Sequence, residues 1–446
     1  MRITRLIYGI VIVAAVALAT VSCRKEGELV GDRPLAFSTD TLTFDTVFTT
    51  MGSVTKAVMI YNRSGEDLSV DVTLRGGRAS RYRLNVDGDT SMAVKGLEIA
   101  KGDSSFVFVR VNVNPNSATE PFLVEDFIDV AVEGGEMQSV VLRAFGRNAV
   151  YHLPAEGKPY SVIDCEGWDH SRPHVIVGWA VVDSATMLTL TAGDELYFAA
   201  DAMLWVYNDG CLKVNGSSEQ PVLFTALRRG EEWYRELPGQ WQGIWLSAGS
   251  KNNEITYAVI EDAVVGLLVD SNVTAEPTLR LSNARVLHHS SAALVAQGAW
   301  VEGDNVLMAD CGTAVMALQY GGRYSFSHAT IANYWKYSAR KLQGLVLNNW
   351  YSSVDGQVIL RGLTEARFEN SIIYGNYSAG EVLLDRHEGA DFNVTMTNCL
   401  VKGLGGLTGI DAERCLDEDP AFKDVSKHDY SLEESSPAAG WGYIAN

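Results

Sequence analysis

Basic residues, histidines, cysteines and prolines are all scarce in this chain of 446 residues. Lysine and arginine number 36 against 55 aspartates and glutamates, a formal charge of −19. No basic stripe offsets it, so the surface repels nucleic acid and anionic lipid, and nucleic-acid binding is excluded. The few histidines, eight in all, leave little for a metal. His288-His289 and the pair His170 and His174 lack cysteine or further histidine at ligand spacing, so no zinc site is expected, and nothing calls for a cofactor. Apart from Cys23 there are five cysteines, Cys165, Cys211, Cys311, Cys399 and Cys415. The number is odd, so at least one stays unpaired. Cys311 and Cys399 read as small interior fillers, although an exported chain permits a bond such as Cys165 to Cys211. Eleven prolines against forty-one glycines, with plentiful Val, Leu, Tyr and Ser, suit short strands joined by tight turns, so helix should be scarce.

What the chain has in quantity is a repeat. One phrase returns between residues 253 and 401: Ile255-Thr-Tyr257-Ala-Val-Ile260, Leu281-Ser-Asn283-Ala-Arg-Val286, Gly303-Asp-Asn305-Val-Leu-Met308 and Phe326-Ser-His328-Ala-Thr-Ile331. Leu347-Asn-Asn349-Trp-Tyr-Ser352, Phe368-Glu-Asn370-Ser-Ile-Ile373 and Met396-Thr-Asn398-Cys-Leu-Val401 continue it. The markers 257, 283, 305, 328, 349, 370 and 398 are 26, 22, 23, 21, 21 and 28 residues apart, a period that signifies a solenoid of strands. In a parallel coil each rung pairs with its neighbours about 4.8 Å away, so like side chains stack on like. The polar markers Asn283, Asn305, His328, Asn349, Asn370 and Asn398 therefore read as a structural ladder at a corner, where Asn tolerates left-handed backbone and its amide bonds along the stack.

Residues 1–22 carry Arg2 and Arg5, an apolar run over 6–19 and small residues before Cys23, the pattern of an export signal. Its removal takes the formal charge from −19 to −21. Ser22-Cys23 resembles the lipobox of bacterial lipoproteins, with Thr20 where Leu is usual, and implies that Cys23 is acylated. Arg24-Lys-Glu-Gly-Glu28 resembles the charged tract of outer-membrane lipoproteins of the Bacteroidota. Residues 23–34 then form a lipidated tether, and the expected location is the cell outer membrane, on either face.

Residues 35–148 alternate strands with polar breaks and predict an antiparallel sandwich. Phe44-Asp-Thr-Val47, Tyr61-Asn62 and Ala144-Phe-Gly-Arg147 resemble the immunoglobulin-like module of the PapD and ASPM/SPD-2/Hydin kind. Pro154, Pro159 and Pro173 mark a hinge and first cap, and residues 149–415 continue as rungs. Gln240-Trp-Gln-Gly-Ile-Trp245, Phe368-Glu-Asn-Ser-Ile-Ile-Tyr374 and Asp419-Pro-Ala-Phe422, with Asp429-Tyr-Ser-Leu432, resemble the right-handed parallel β-helix, pectin-lyase-like, of exported Bacteroidota lipoproteins. Residues 416–446 look like that family's closing rung and cap, shielding the last strand edge. The expected fold class is all-β, an immunoglobulin-like sandwich followed by a right-handed parallel β-helix of about ten rungs, on the order of 50 Å long.

The resemblance brings lyase and hydrolase chemistry into question. A calcium-dependent lyase needs acidic residues in register on successive rungs, and Asp262, Asp270, Asp304 and Asp310 stand at differing distances from the markers. A hydrolase needs paired carboxylates on one face. The densest acidic segment, Asp385-Arg-His-Glu388-Gly-Ala-Asp391, reads as a solvated insertion. Aromatics form two clusters, Trp233, Tyr234, Trp241 and Trp245, and Tyr334, Trp335, Tyr337, Trp350 and Tyr351. Flat rings hold sugar faces, which makes Trp233, Trp241, Trp335 and Tyr337 candidate ligand contacts. Trp245 and Trp350 lie inside strand runs and read as core. The expected function is that of a non-catalytic, lipid-anchored scaffold, adhesin or binder of polysaccharide or a surface protein, with a β-helix polysaccharide lyase or glycoside hydrolase as the alternative.

Overall fold

The computed structural model describes residues 34–132, 135–229 and 232–445. The signal segment, Cys23 and all of the tether but Pro34 lie outside the described residues. The chain is all-β, and none of its described helices is long and apolar enough to cross a membrane. The described residues divide into two units, one within 34–115 and 122–146, the other within 116–121 and 147–445.

In the first unit, a four-stranded antiparallel sheet orders Leu35–Phe37, Lys56–Asn62, Ser104–Val111 and Tyr82–Val86. A five-stranded sheet orders Thr41–Phe48, Met137–Arg147, Phe122–Val132, Leu68–Leu74 and Ala93–Ile99. Alternation buries every second residue: Val58 and Ile60 from one sheet meet Val70, Val72 and Leu142 from the other in a single core. Each such side chain contributes about 1.5–3 kcal/mol on burial. Tyr82 reaches the centre of that core because its hydroxyl donates to the Val124 carbonyl at 2.8 Å, which satisfies the one polar atom it carries inward. Ala93–Ile99 is mostly exposed and holds Gly96 at φ +66°, so its weak alternation hides it from a pattern reading.

The second unit is a coil of parallel strands. A nine-stranded sheet runs from Tyr160–Val162 to Val382–Asp385, and a seventeen-stranded sheet takes two strands from nearly every turn. That larger sheet is two ladders joined at a bend. Trp300–Cys311 and Gly322–Asn333 are each one twelve-residue strand that turns at Asn305, φ 51°, and His328, φ 49°. Apolar columns fill the interior in register: Val214, Ile255, Leu281, Gly303, Phe326, Phe368 and Met396 stack on one ladder. Gly303 breaks the run of large residues because a Cβ there would lie 2.4 Å from the Phe326 ring.

The left-handed corner holds Tyr257, Asn283, Asn305, His328, Asn370 and Asn398, all at φ 48–52°. Asn305 donates to the Asn283 side-chain oxygen at 2.8 Å, and Asn398 to that of Asn370 at 3.0 Å. His328 interrupts the amide stack, its ring bonded to Ser327 at 2.9 Å. Asn349 is not a member of this column. Phe326 registers directly with Phe368, so 328 to 370 is one long turn, and Leu345–Asn348 belongs to the nine-stranded sheet. Asn349 instead is buried and clasps the acidic segment, donating to the His387 carbonyl at 2.9 Å and accepting its N–H at 2.8 Å.

Residues 416–445 do not simply extend the coil. The antiparallel hairpin of Phe422–Asp424 and Asp429–Leu432 lies back along the outer face of the second ladder. There Tyr430 packs on Leu287, Leu307, Ala309 and Ala332, and Ala438 on Ile372 and Leu400. The tail is a strap over several rungs, whereas the last edge of the large sheet is the exposed strand Asp411–Glu413. This covering explains why Val306-Leu-Met-Ala309 is apolar without alternation: both of its faces are buried.

Candidate functional site

Five residues beyond the corner, the same turns place a second polar column. Tyr257, Asn283, Asn305 and His328 lead to Asp262, His288, Asp310 and Asn333, and the strand registers align these four on successive rungs. The expectation that the aspartates share no register is thereby corrected: Asp262 and Asp310 occupy one column with His288 between them. The signal was present in the spacing, but it emerges only when histidine and asparagine are counted with aspartate. Asp270 and Asp304 do lie elsewhere. Asp270 accepts the Trp245 indole N–H at 2.8 Å, and Asp304 stands beside His328 at 3.8 Å.

Asp262, His288 and Asp310 adopt left-handed backbone, at φ 66°, 63° and 57°. His288 Nδ1 lies 2.7 Å from Asp262 Oδ1, and its Nε2 3.0 Å from the Tyr337 hydroxyl. The ring therefore bridges the Asp262 carboxyl group and the Tyr337 hydroxyl, one through each nitrogen. Asp310 Oδ2 accepts from His428 Nδ1 and from the Tyr430 hydroxyl, both at 2.5 Å, and Oδ1 accepts the Tyr334 N–H at 3.1 Å. Burial raises the Asp262 carboxyl above the usual range although His288 opposes it. Burial, with Asp310 adding to it, pushes the Tyr430 hydroxyl well up. The two aspartates are only 3% exposed.

His289 points the other way, accepting the Ala263 N–H at 3.1 Å, and burial lowers its pKa to about 3. The adjacent histidines therefore face opposite sides of the wall. His174 engages His152 and the Asp169 carbonyl, at 2.8 and 2.9 Å, while His170 contacts Asp194. Among the described residues no group of three His, Cys, Asp or Glu side chains is placed to hold a metal ion. Cys165 and Cys211 are not bonded to each other.

Above the Asp310 end of the column a cleft of about 220 Å³ opens between the strap and the loop after Gly322–Asn333. Trp335, Tyr337, Lys336, Asn376 and His428 line it. Trp335 is buried, its N–H donating to Ser338 at 2.9 Å, and it meets Tyr337 edge-on at 4.9 Å between ring centres. Tyr337 is 39% exposed. Of the other candidate rings, Trp241 is a core residue and cannot touch a ligand. It is fully buried, stacked on Phe198 at 3.9 Å, with its N–H on the Glu261 carbonyl at 2.8 Å. Trp233 is 56% exposed and stacks on Tyr234 at 3.6 Å, outside this cleft. Trp205 and Trp245 stack face to face at 5.0 Å on the outer side of the nine-stranded sheet, so they turn edges outward, whereas a sugar needs a ring face. His428 and Asn376 escaped the sequence reading because they lie 118 and 66 residues from Asp310, and only the strap and a neighbouring turn bring them to it.

No family model matches this chain, and no curated protein does. Solved structures similar to it include a family 123 glycoside hydrolase from Clostridium perfringens, 8% identical over 25% of this chain and 25% of that one, TM-score 0.19. A protein of unknown function from Porphyromonas gingivalis W83 is 14% identical over 27% and 54%, TM-score 0.20. PapD-like domain 7 of human CEP192 is 9% identical over 28% and 97%, TM-score 0.18. The chain spans a quarter and about half the length of the first two.

Proposed function

We propose that this chain is an exported, lipid-anchored envelope protein that binds a neutral glycan without cleaving it. In this reading the first unit is an immunoglobulin-like sandwich and the second a right-handed parallel β-helix, supported by the two-sheet core and the three-ladder register. The observation that carries the binding function is the cleft, where the half-open Tyr337 ring stands among the polar groups of Lys336, Asn376 and His428. An apolar ring face with convergent hydrogen-bonding groups suits a pyranose. The volume, about 220 Å³, suits one sugar of a longer chain. The formal charge of −19 disfavours polyanionic chains.

Calorimetric titration with neutral oligosaccharides should show binding, and Tyr337→Ala should weaken it about tenfold, the worth of one ring contact. No heat from any neutral glycan, or an unaltered Tyr337→Ala affinity, would refute the reading.

The second reading, a lyase or hydrolase, draws on the Asp310–His428 pair at the cleft, which could serve as a general base. Against it, the other carboxylate of the column, Asp262, is buried behind His288, so this column presents no carboxylate pair to a substrate in the cleft. New reducing ends or unsaturated products from glycans incubated with the protein would favour this reading over the first.

The anchor rests on Ser22-Cys23 and the charged tract behind it. Cys23→Ala should move the protein from the membrane fraction to the soluble fraction, and its persistence in membranes would remove lipidation from the proposal.

A further inference from the structure

Cys399 and Cys415 occupy the same place in successive turns. Thr397 registers with Glu413 and Leu400 with Leu416, which sets the two cysteines opposite each other. Each follows a left-handed residue, Asn398 and Arg414, both at φ 52°, so the side chains leave the corner in the same direction. Backbone bonds hold the register on both sides, from Asn398 N–H to Glu413 O at 3.0 Å and from Leu416 N–H to Cys399 O at 2.8 Å. Paired positions on parallel strands stand about 4.8 Å apart, inside the span of about 4.4–6.8 Å that a disulfide bridges between Cα atoms. The Cys399 thiol lies 3.4 Å from the Phe368 carbonyl and the Cys415 thiol 3.4 Å from the Met396 carbonyl, and the neighbouring Cys399 lowers the Cys415 pKa to about 6 while that of buried Cys399 is raised.

We propose that Cys399 and Cys415 form a reversible disulfide that staples the last rung of the coil. Half-buried Cys415 is the attacking thiolate. It displaces one thiolate from an external disulfide, such as oxidised glutathione, and forms a mixed disulfide. Cys399 then loses its proton to solvent and attacks the Cys415 sulfur, expelling the second thiolate. Two thiols are oxidised and one external disulfide is reduced to two thiols. The staple fastens a weak place: Asp411–Glu413 is an exposed edge strand that pairs, among the described residues, with Phe392–Thr397 alone. The segment leading to it carries Gly403, Gly405, Gly406 and Gly409. Tethering such an edge keeps it from peeling away and baring the strand beneath to other chains.

The test uses the whole mature chain equilibrated with oxidised glutathione, alkylated without reduction and mapped by mass spectrometry. The expected result is a linked pair of peptides containing Cys399 and Cys415, lighter by two hydrogen atoms, with Cys165, Cys211 and Cys311 alkylated once the chain is denatured. Oxidation should slow proteolysis within residues 402–413 about tenfold, and Cys415→Ser should abolish that protection. Full alkylation of both cysteines, or Cys415 bonded to any other thiol, overturns the proposal. Equal cleavage of oxidised wild type and Cys415→Ser overturns the stapling role.

Discussion

Arg340→Met is expected to destabilise the coiled unit by about 3–5 kcal/mol, the cost of leaving a buried charge without its partner. The side chains of Arg340 and Glu381 are 4% and 0% exposed, with Nη2 on Oε2 at 2.5 Å and Nη1 on Oε1 at 3.1 Å. Both make further hydrogen bonds, although the buried Arg340 Nε has none. Arg340 also donates to the Asn333 carbonyl at 2.7 Å and to Asn376 at 2.9 Å, while Glu381 accepts the N–H groups of Gly344 and Tyr377 at 2.8 and 2.9 Å. The pair pins both ends of the loop that carries Trp335 and Tyr337, so hydrogen exchange over residues 333–344 should rise together with the loss of stability. Pairing Arg340→Met with Glu381→Met should recover much of the loss, because the cost lies in the stranded charge rather than in the missing attraction. A denaturant midpoint for Arg340→Met equal to that of the wild type would contradict this assignment.

Asp310→Ala should release the strap. The substitution removes the acceptor of Tyr430, His428 and the Tyr334 N–H in one step, and a hydrogen bond to a charged group contributes about 1.5–3 kcal/mol. A total near 3 kcal/mol is expected, since His428 is partly solvated and finds water instead. Buried Tyr430 does not. Limited proteolysis should cut residues 422–445 early in the variant, and the uncovered Leu287 and Leu307 should bind an apolar dye. Cleavage no faster than in the wild type would show that apolar packing alone holds the strap.

The all-β character and the parallel stacking of strands were legible because stacked strands repeat their chemistry. The twenty-odd-residue period, the corner asparagines and the interior Ile, Leu and Phe columns all derive from register, and register is written locally. Asn349 shows the limit: it matches the phrase but serves another sheet, because the hairpin of Trp350–Ser352 and Val358–Leu360 lengthens its turn. The candidate site was half legible. Trp335 and Tyr337 were singled out from the insertion, whereas Trp241 was named a candidate ligand contact although its ring is buried and stacks on Phe198 of the neighbouring turn. The Asp262, His288 and Asp310 column was missed because a search for like residues passes over a mixed one. His428 could not be placed at all, since nothing local to it announces what it meets 118 residues earlier.

That distance has a consequence for the order of folding. Rungs join segments some 16–42 residues apart, so the coil can nucleate anywhere and spread quickly. The strap closes loops of 118 residues from His428 to Asp310 and 139 from Ile444 to Asn305, and its footing exists only once several rungs are laid. The cleft is therefore the last part of the coiled unit to form, and a refolding experiment should recover strand signal before it recovers ligand binding.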